Sequence, residues 1–136
     1  MPNIEKQVCT LETAKRMAEL GFRNKSMFKW VKYDIRNDFV VWYDPDIKGA
    51  TMETMGGVIE EQYRAYTAGE AGIFLQARYQ PFSSSFASSS VPIFTEGEYC
   101  WYQNGEIIIS AETEAEARCL MLIYLAEKKI IDPKNI

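Results

Sequence analysis

The chain has no histidine among its 136 residues. That absence removes Ser-His-Asp and Cys-His hydrolysis, His-ligated zinc or haem, and imidazole acid–base catalysis. Cysteine is scarce: Cys9, Cys100 and Cys119 are odd in number and lack short paired spacing, which argues against a disulfide scaffold or a CxxC metal site. Cys100 lies between Tyr99 and Trp101, and Cys119 in an apolar helical run, so both read as small buried hydrophobes. No apolar stretch approaches the ~18 residues that span a bilayer, and Met1–Glu5 carries no signal-type apolar segment. The expectation is a cytoplasmic protein with no membrane association. P-loop, GxGxxG, GxSxG and HExxH patterns are missing too, so no cofactor is expected.

What is present is an ordinary globular balance. Hydrophobic residues make up 47%, charged residues 25% and aromatics 13%, enough for one self-sufficient core. The net charge of −4 argues against nucleic acid as a bulk partner. The charges are nonetheless segregated. Seven cations fall between Lys15 and Arg36, and seven glutamates between Glu96 and Glu127. Two solvated faces of opposite sign explain this, and a docking surface for an acidic partner, including Lys25, Lys29 and Lys32, is the functional alternative.

Residues 11–20 read as a short helix, with Thr10 as N-cap and Gly21 as left-handed stop. Met27 to Tyr43 is aromatic and β-branched, a hairpin composition with its loop at Asp34–Asp38. Residues 51–67 are open between helix and strand, with strand favoured over 60–67. Gly69-Glu70-Ala71-Gly72 looks like a turn feeding a strand at 73–79. Residues 81–92, PFSSSFASSSVP, predict a mobile surface loop that Phe82 and Phe86 would anchor. Glu98–Gln103 and Glu106–Ile109 read as a hairpin around Asn104-Gly105. Thr113 and Glu116 make a capping box that opens the last helix, and Lys128 and Lys129 suit its negative end. LMLIYL at 120–125 encircles more than one face of that helix. Either a second element covers Leu122 and Ile123, or they form an oligomer interface.

The expected fold is therefore one α+β domain over 1–136: a mainly antiparallel sheet of about five or six strands, with an N-terminal helix and a longer C-terminal helix packed on it.

For chemistry, Asp34, Asp38, Asp44 and Asp46 cluster around one hairpin, yet turn preference explains them and no EF-hand spacing occurs. No metal is expected. Glu60, Glu61, Glu96 and Glu98 are the candidates for a carboxylate-based hydrolase. AELGFRNKSMFKWVK, residues 18–32, resembles the helix-turn-helix of small excisionase-like regulators, which would place Arg23, Asn24, Lys25, Ser26 and Lys29 near DNA. Met17 stands where that motif wants a small residue, and the segment beyond Met27 prefers strand.

Glu12-Thr13-Ala14-Lys15, Leu20-Gly21-Phe22 and Glu112–Arg118 with the following LMLIYL carry a resemblance of another kind. The chain is similar to a group of small, uncharacterised proteins encoded by phages, prophages and other mobile elements of gut bacteria. The likeness covers roughly the first 45 and last 35 residues, and the serine-rich insertion departs from the group's compact middle. It implies an opening helix, an aromatic strand pair and a closing acidic-capped helix, with no assigned activity. The leading expectation is a non-catalytic accessory or protein-interaction module, possessing no catalytic residues and meeting a protein partner or a second copy. A DNA-binding regulator using residues 23–32 comes second and a carboxylate hydrolase third.

Overall fold

A computed structural model describes residues 4–35, 37–43, 59–78, 92–103 and 106–135. Phe82 and Phe86 with nearly all of the serine-rich stretch, Asp44, Asp46, Gly56-Gly57 and Asn104-Gly105 lie outside the described residues.

Helix α1 spans Leu11–Leu20 as its caps dictate. Thr10 is extended and its hydroxyl accepts the Thr13 N–H at 3.3 Å. Gly21 stops the helix in the left-handed region at φ 101°, where its N–H returns to the Met17 and Ala18 carbonyls. Strands β1 (Phe28–Tyr33) and β2 (Val40–Tyr43) form the expected antiparallel hairpin. Strand β3 (Ile59–Arg64) pairs with the other edge of β1, so the first sheet runs β2–β1–β3. The expectation of strand at 60–67 is met over most of its length.

The turn and strand expected at 69–79 are instead one helix, α2 (Ala68–Arg78). The glycines suggested a hairpin, but a reciprocal capping box prevails. The Thr67 N–H donates to Glu70 Oε1 at 2.9 Å, and the Glu70 N–H donates to Thr67 Oγ1 at 3.2 Å. Gly72 serves packing here rather than a turn. A Cβ on it would meet the Arg118 guanidinium, so Gly72 leaves room for that side chain of the last helix beside α2.

The second sheet is a meander, β4 (Ile93–Thr95), β5 (Glu98–Gln103) and β6 (Glu106–Ala111). Glu96 and Gly97 join β4 to β5 with φ of 53° and 86°, the paired positive values of a type I′ turn. β5 and β6 pair as expected, with Gln103 opposite Glu106. The chain is thus α+β, with six antiparallel strands in two three-stranded sheets and three helices among the described residues.

Helix α3 (Glu114–Glu127) is the hub, contacting α1, α2, β5 and β6. Its all-round apolar surface follows from this placement. Cys119, Met121, Leu122 and Leu125 are at most 1% exposed and Ile123 is 7% exposed. The buried Trp101 indole donates to the Ala117 carbonyl at 2.9 Å, and Trp30 does the same to Cys9. These bonds satisfy each ring's polar atom inside the core. One seven-residue pattern, Ala-x-Thr-x-x-Glu-Ala, occurs at 65–71 and at 111–117. Each copy carries the third strand of a sheet into the N-terminus of a helix.

Candidate functional site

The three lysines proposed for docking do not form one surface. Lys25 lies exposed in the link between α1 and β1, whereas Lys29 and Lys32 sit on β1 three residues apart and point to opposite faces. Lys32 is neutralised by Glu60 at 2.7 Å. Residues 28–33 are strand, so no second helix follows α1 and residues 23–32 do not build a helix-turn-helix. The aromatic, β-branched run FKWVKY overrides the turn-like Leu20-Gly21-Phe22, whose glycine ends a helix without starting another.

Leu122 and Ile123 are likewise removed from the surface. α2 is the second element that covers α3, and it was hidden because its own sequence reads as turn and strand. The carboxylate candidates disperse as well. Glu60 is held by Lys32, Glu61 accepts from the Tyr63 hydroxyl at 2.9 Å, and Glu96 occupies the β4–β5 turn. Only Glu98 lines a cleft. Among the described residues no group of three or more potential ligands could hold a metal ion.

Two of the three buried cysteines, Cys9 and Cys119, meet in the core. Cys119 is hydrogen-bonded to Cys9, and this contact, followed by burial, pushes its thiol well above the usual range. A raised value keeps the sulfur protonated and a poor nucleophile. Tyr66 shares this interior; burial raises its phenol, whose hydroxyl donates to the Asn24 carbonyl at 2.6 Å.

A concavity lies where the N-termini of α1 and α3 meet the edge of the second sheet. Glu116 is the bolt of this joint. Its carboxylate accepts from the Thr10 N–H at 2.8 Å, the Thr10 hydroxyl at 3.1 Å and the Thr13 hydroxyl at 2.6 Å. The expected capping box at Thr113 is therefore only half closed. The Glu116 N–H donates to Thr113 Oγ1 at 3.1 Å, but its carboxylate serves α1 instead. Around this joint opens a cleft of about 440 Å³, walled by Glu5, Lys6, Glu98, Ser110, Glu112 and Glu116 among others. Four carboxylates against one lysine make the cleft acidic.

The register accounts for part of that charge. Tyr99 opposes Ala111 in the last register pair, so Glu98 at the start of β5 and Glu112 just beyond β6 are brought to the same end of the sheet, where both line the cleft. Neither carboxylate has a hydrogen bond or ion pair among the described residues.

Beside the cleft runs β6, paired to β5 on one side only among the described residues. Alternation across the register places Ile93, Tyr102 and Ile107 on the sheet face opposite Trp101. Ile93 is 42% exposed and Ile107 53%, while Phe94 on the short edge strand β4 is 61% exposed.

Sequence reasoning missed this site. It joins Glu5, Glu98 and Glu112 from distant parts of the chain, and only the excess of glutamate after residue 96 hinted at it. Comparison with protein-family models, with curated proteins and with solved structures gives no match.

Proposed function

We propose that the protein is a non-catalytic interaction module of mobile-element origin, which acts by presenting the β4–β5–β6 sheet to a protein partner. The origin follows the resemblance of the opening and closing helices to phage- and prophage-encoded proteins. One observation carries the rest: exposed Ile93 and Ile107 share one face of the sheet, with exposed Phe94 on the other face of its edge strand β4, beside a cleft whose Glu98 and Glu112 carboxylates are unpaired among the described residues. Apolar surface next to unsatisfied charge is the composition of a protein-binding patch, with an apolar centre and a polar rim. Leu122 and Ile123 of α3 contribute nothing to this surface, because they form the interior.

The test is a tagged pull-down from the native host, comparing wild type with the triple variant Ile93→Ser, Phe94→Ser, Ile107→Ser. All three side chains are substantially exposed, so the variant keeps the wild-type circular dichroism spectrum. A partner retained by wild type and lost by the variant supports the reading. A partner held equally by both, or no partner at stoichiometric yield, contradicts it.

A further inference from the structure

The four outer strands of the two sheets differ in how they are protected. β2 has four residues and β4 has three, too short to offer much ladder. β3 has six but carries Glu60, Glu61 and Arg64 along its length. Short edges and edge charges both suppress pairing with another chain. β6 also has six residues, Glu106-Ile107-Ile108-Ile109-Ser110-Ala111, and its only charge is at the first position. It contains no lysine and no proline, and its one protection is a bulge at Ile108, the extra residue between the Trp101–Ile109 and Tyr102–Ile107 pairs. Of the described edges it is the long one with the least charge along it.

Its surroundings define what would pair with it. A second copy fits poorly. Antiparallel pairing of β6 with itself would set Glu106 of one copy near Ala111 and Glu112 of the other, gathering four like charges at the two ends. A strand with a cation at each end meets the opposite situation. One cation would face Glu106. The other would enter the cleft that Glu98 and Glu112 line together with Glu5 and Glu116. Lys6 is the single positive residue lining that cleft and leaves its net charge negative. Between the two ends, Ile107 offers apolar contact to β-branched side chains.

We propose that β6 docks an extended segment of another protein, apolar and β-branched in the middle with Lys or Arg at both ends, as an added strand of the β4–β5–β6 sheet. This rests on the interaction-module reading above and assigns it a partner chemistry. Main-chain hydrogen bonds to β6 would supply affinity, and the acidic cleft would set register and selectivity.

The probe is a fluorescein-labelled peptide, Lys-Val-Thr-Val-Thr-Val-Lys with blocked termini, followed by anisotropy at low salt. Saturable binding is expected. It should weaken by about tenfold or more for three controls: glutamate in place of both lysines, N-methylation of alternate backbone amides, and the protein variant Glu98→Gln/Glu112→Gln. Raising the salt should weaken it as well. The first two controls leave the protein untouched, so a folding defect cannot imitate the result. Equal binding by the control peptides, or no saturation up to about 1 mM peptide, overturns the proposal. If the peptide fails while the triple serine variant loses a pulled-down partner, strand addition is wrong and the interaction module stands. If neither binds, both fall.

Discussion

The Thr13 hydroxyl donates to Glu116 Oε2 at 2.6 Å, joining the first turn of α1 to the first turn of α3 across most of the sequence. Thr13 is the one buried polar side chain among the described residues, and this bond is how its burial is tolerated. The same carboxylate takes two more hydrogen bonds from Thr10, so a single residue fixes both helix starts and one wall of the acidic cleft.

Replacing Glu116 with alanine should therefore destabilise the protein by about 2–4 kcal/mol, since charged hydrogen bonds are lost and a buried hydroxyl is orphaned. Thr13→Val should cost about 1–2 kcal/mol. Because the two residues share one bond, the double variant should cost less than the sum by over ~0.5 kcal/mol. Urea unfolding of the four proteins measures this, and strict additivity would disprove the coupling.

At the other end of α3, Lys129 holds a left-handed φ of 61°. The Ile130 N–H returns to the Leu125 carbonyl at 2.9 Å and the Lys129 N–H to the Ala126 carbonyl at 3.0 Å. This is a Schellman ending with lysine where glycine is favoured. Lys129→Gly should raise stability by roughly 0.5–1 kcal/mol, whereas Gly21→Ala, at φ 101°, should lower it by a similar amount or more. Thermal melts that move both variants in the same direction would contradict this reading of the two helix ends.

Alkaline pH should unfold the protein progressively. The Cys119 thiol and Tyr66 phenol are both raised in the folded state above ordinary values of 9.0 and 10.0. Above those values the unfolded chain releases protons that the native state retains, so the free energy of unfolding falls as pH rises. Stability should be level up to about pH 8 and then decline, with a slope of up to ~1.4 kcal/mol per pH unit for each group. Denaturant midpoints from pH 7 to pH 10.5 test the sign. Cys119→Ser and Tyr66→Phe should each flatten the decline.

Local signals made much of the fold legible. Thr10 and Gly21 bound α1, and the alternation of rings and β-branched residues between Met27 and Tyr43 gave the first hairpin. α2 was misread because Gly69 and Gly72 weigh as turn residues until the helix opposite is known. In the fold Gly72 lies beside the Arg118 guanidinium, within the helix rather than in a turn. The Thr67–Glu70 capping box was nevertheless present in the sequence, in the same pattern as Thr113–Glu116. The apolar run of α3 was correctly recognised as needing cover on several sides, though not that α2 supplies it. The acidic cleft was beyond local reasoning altogether. Glu98 and Glu112 reach one cleft only through the pairing of β5 with β6, and Glu5 arrives from the other end of the chain.

Lysine-directed crosslinking of the protein bound to its pulled-down partner tests most directly which face is used. Lys6 borders the acidic cleft, while Lys25, Lys29 and Lys32 belong to the link before β1 and to β1 itself. The expected result is intermolecular crosslinks concentrated at Lys6, with the three other lysines modified as in the free protein. Crosslinks concentrated at Lys25, Lys29 and Lys32, with Lys6 silent, would contradict docking at the β4–β5–β6 sheet.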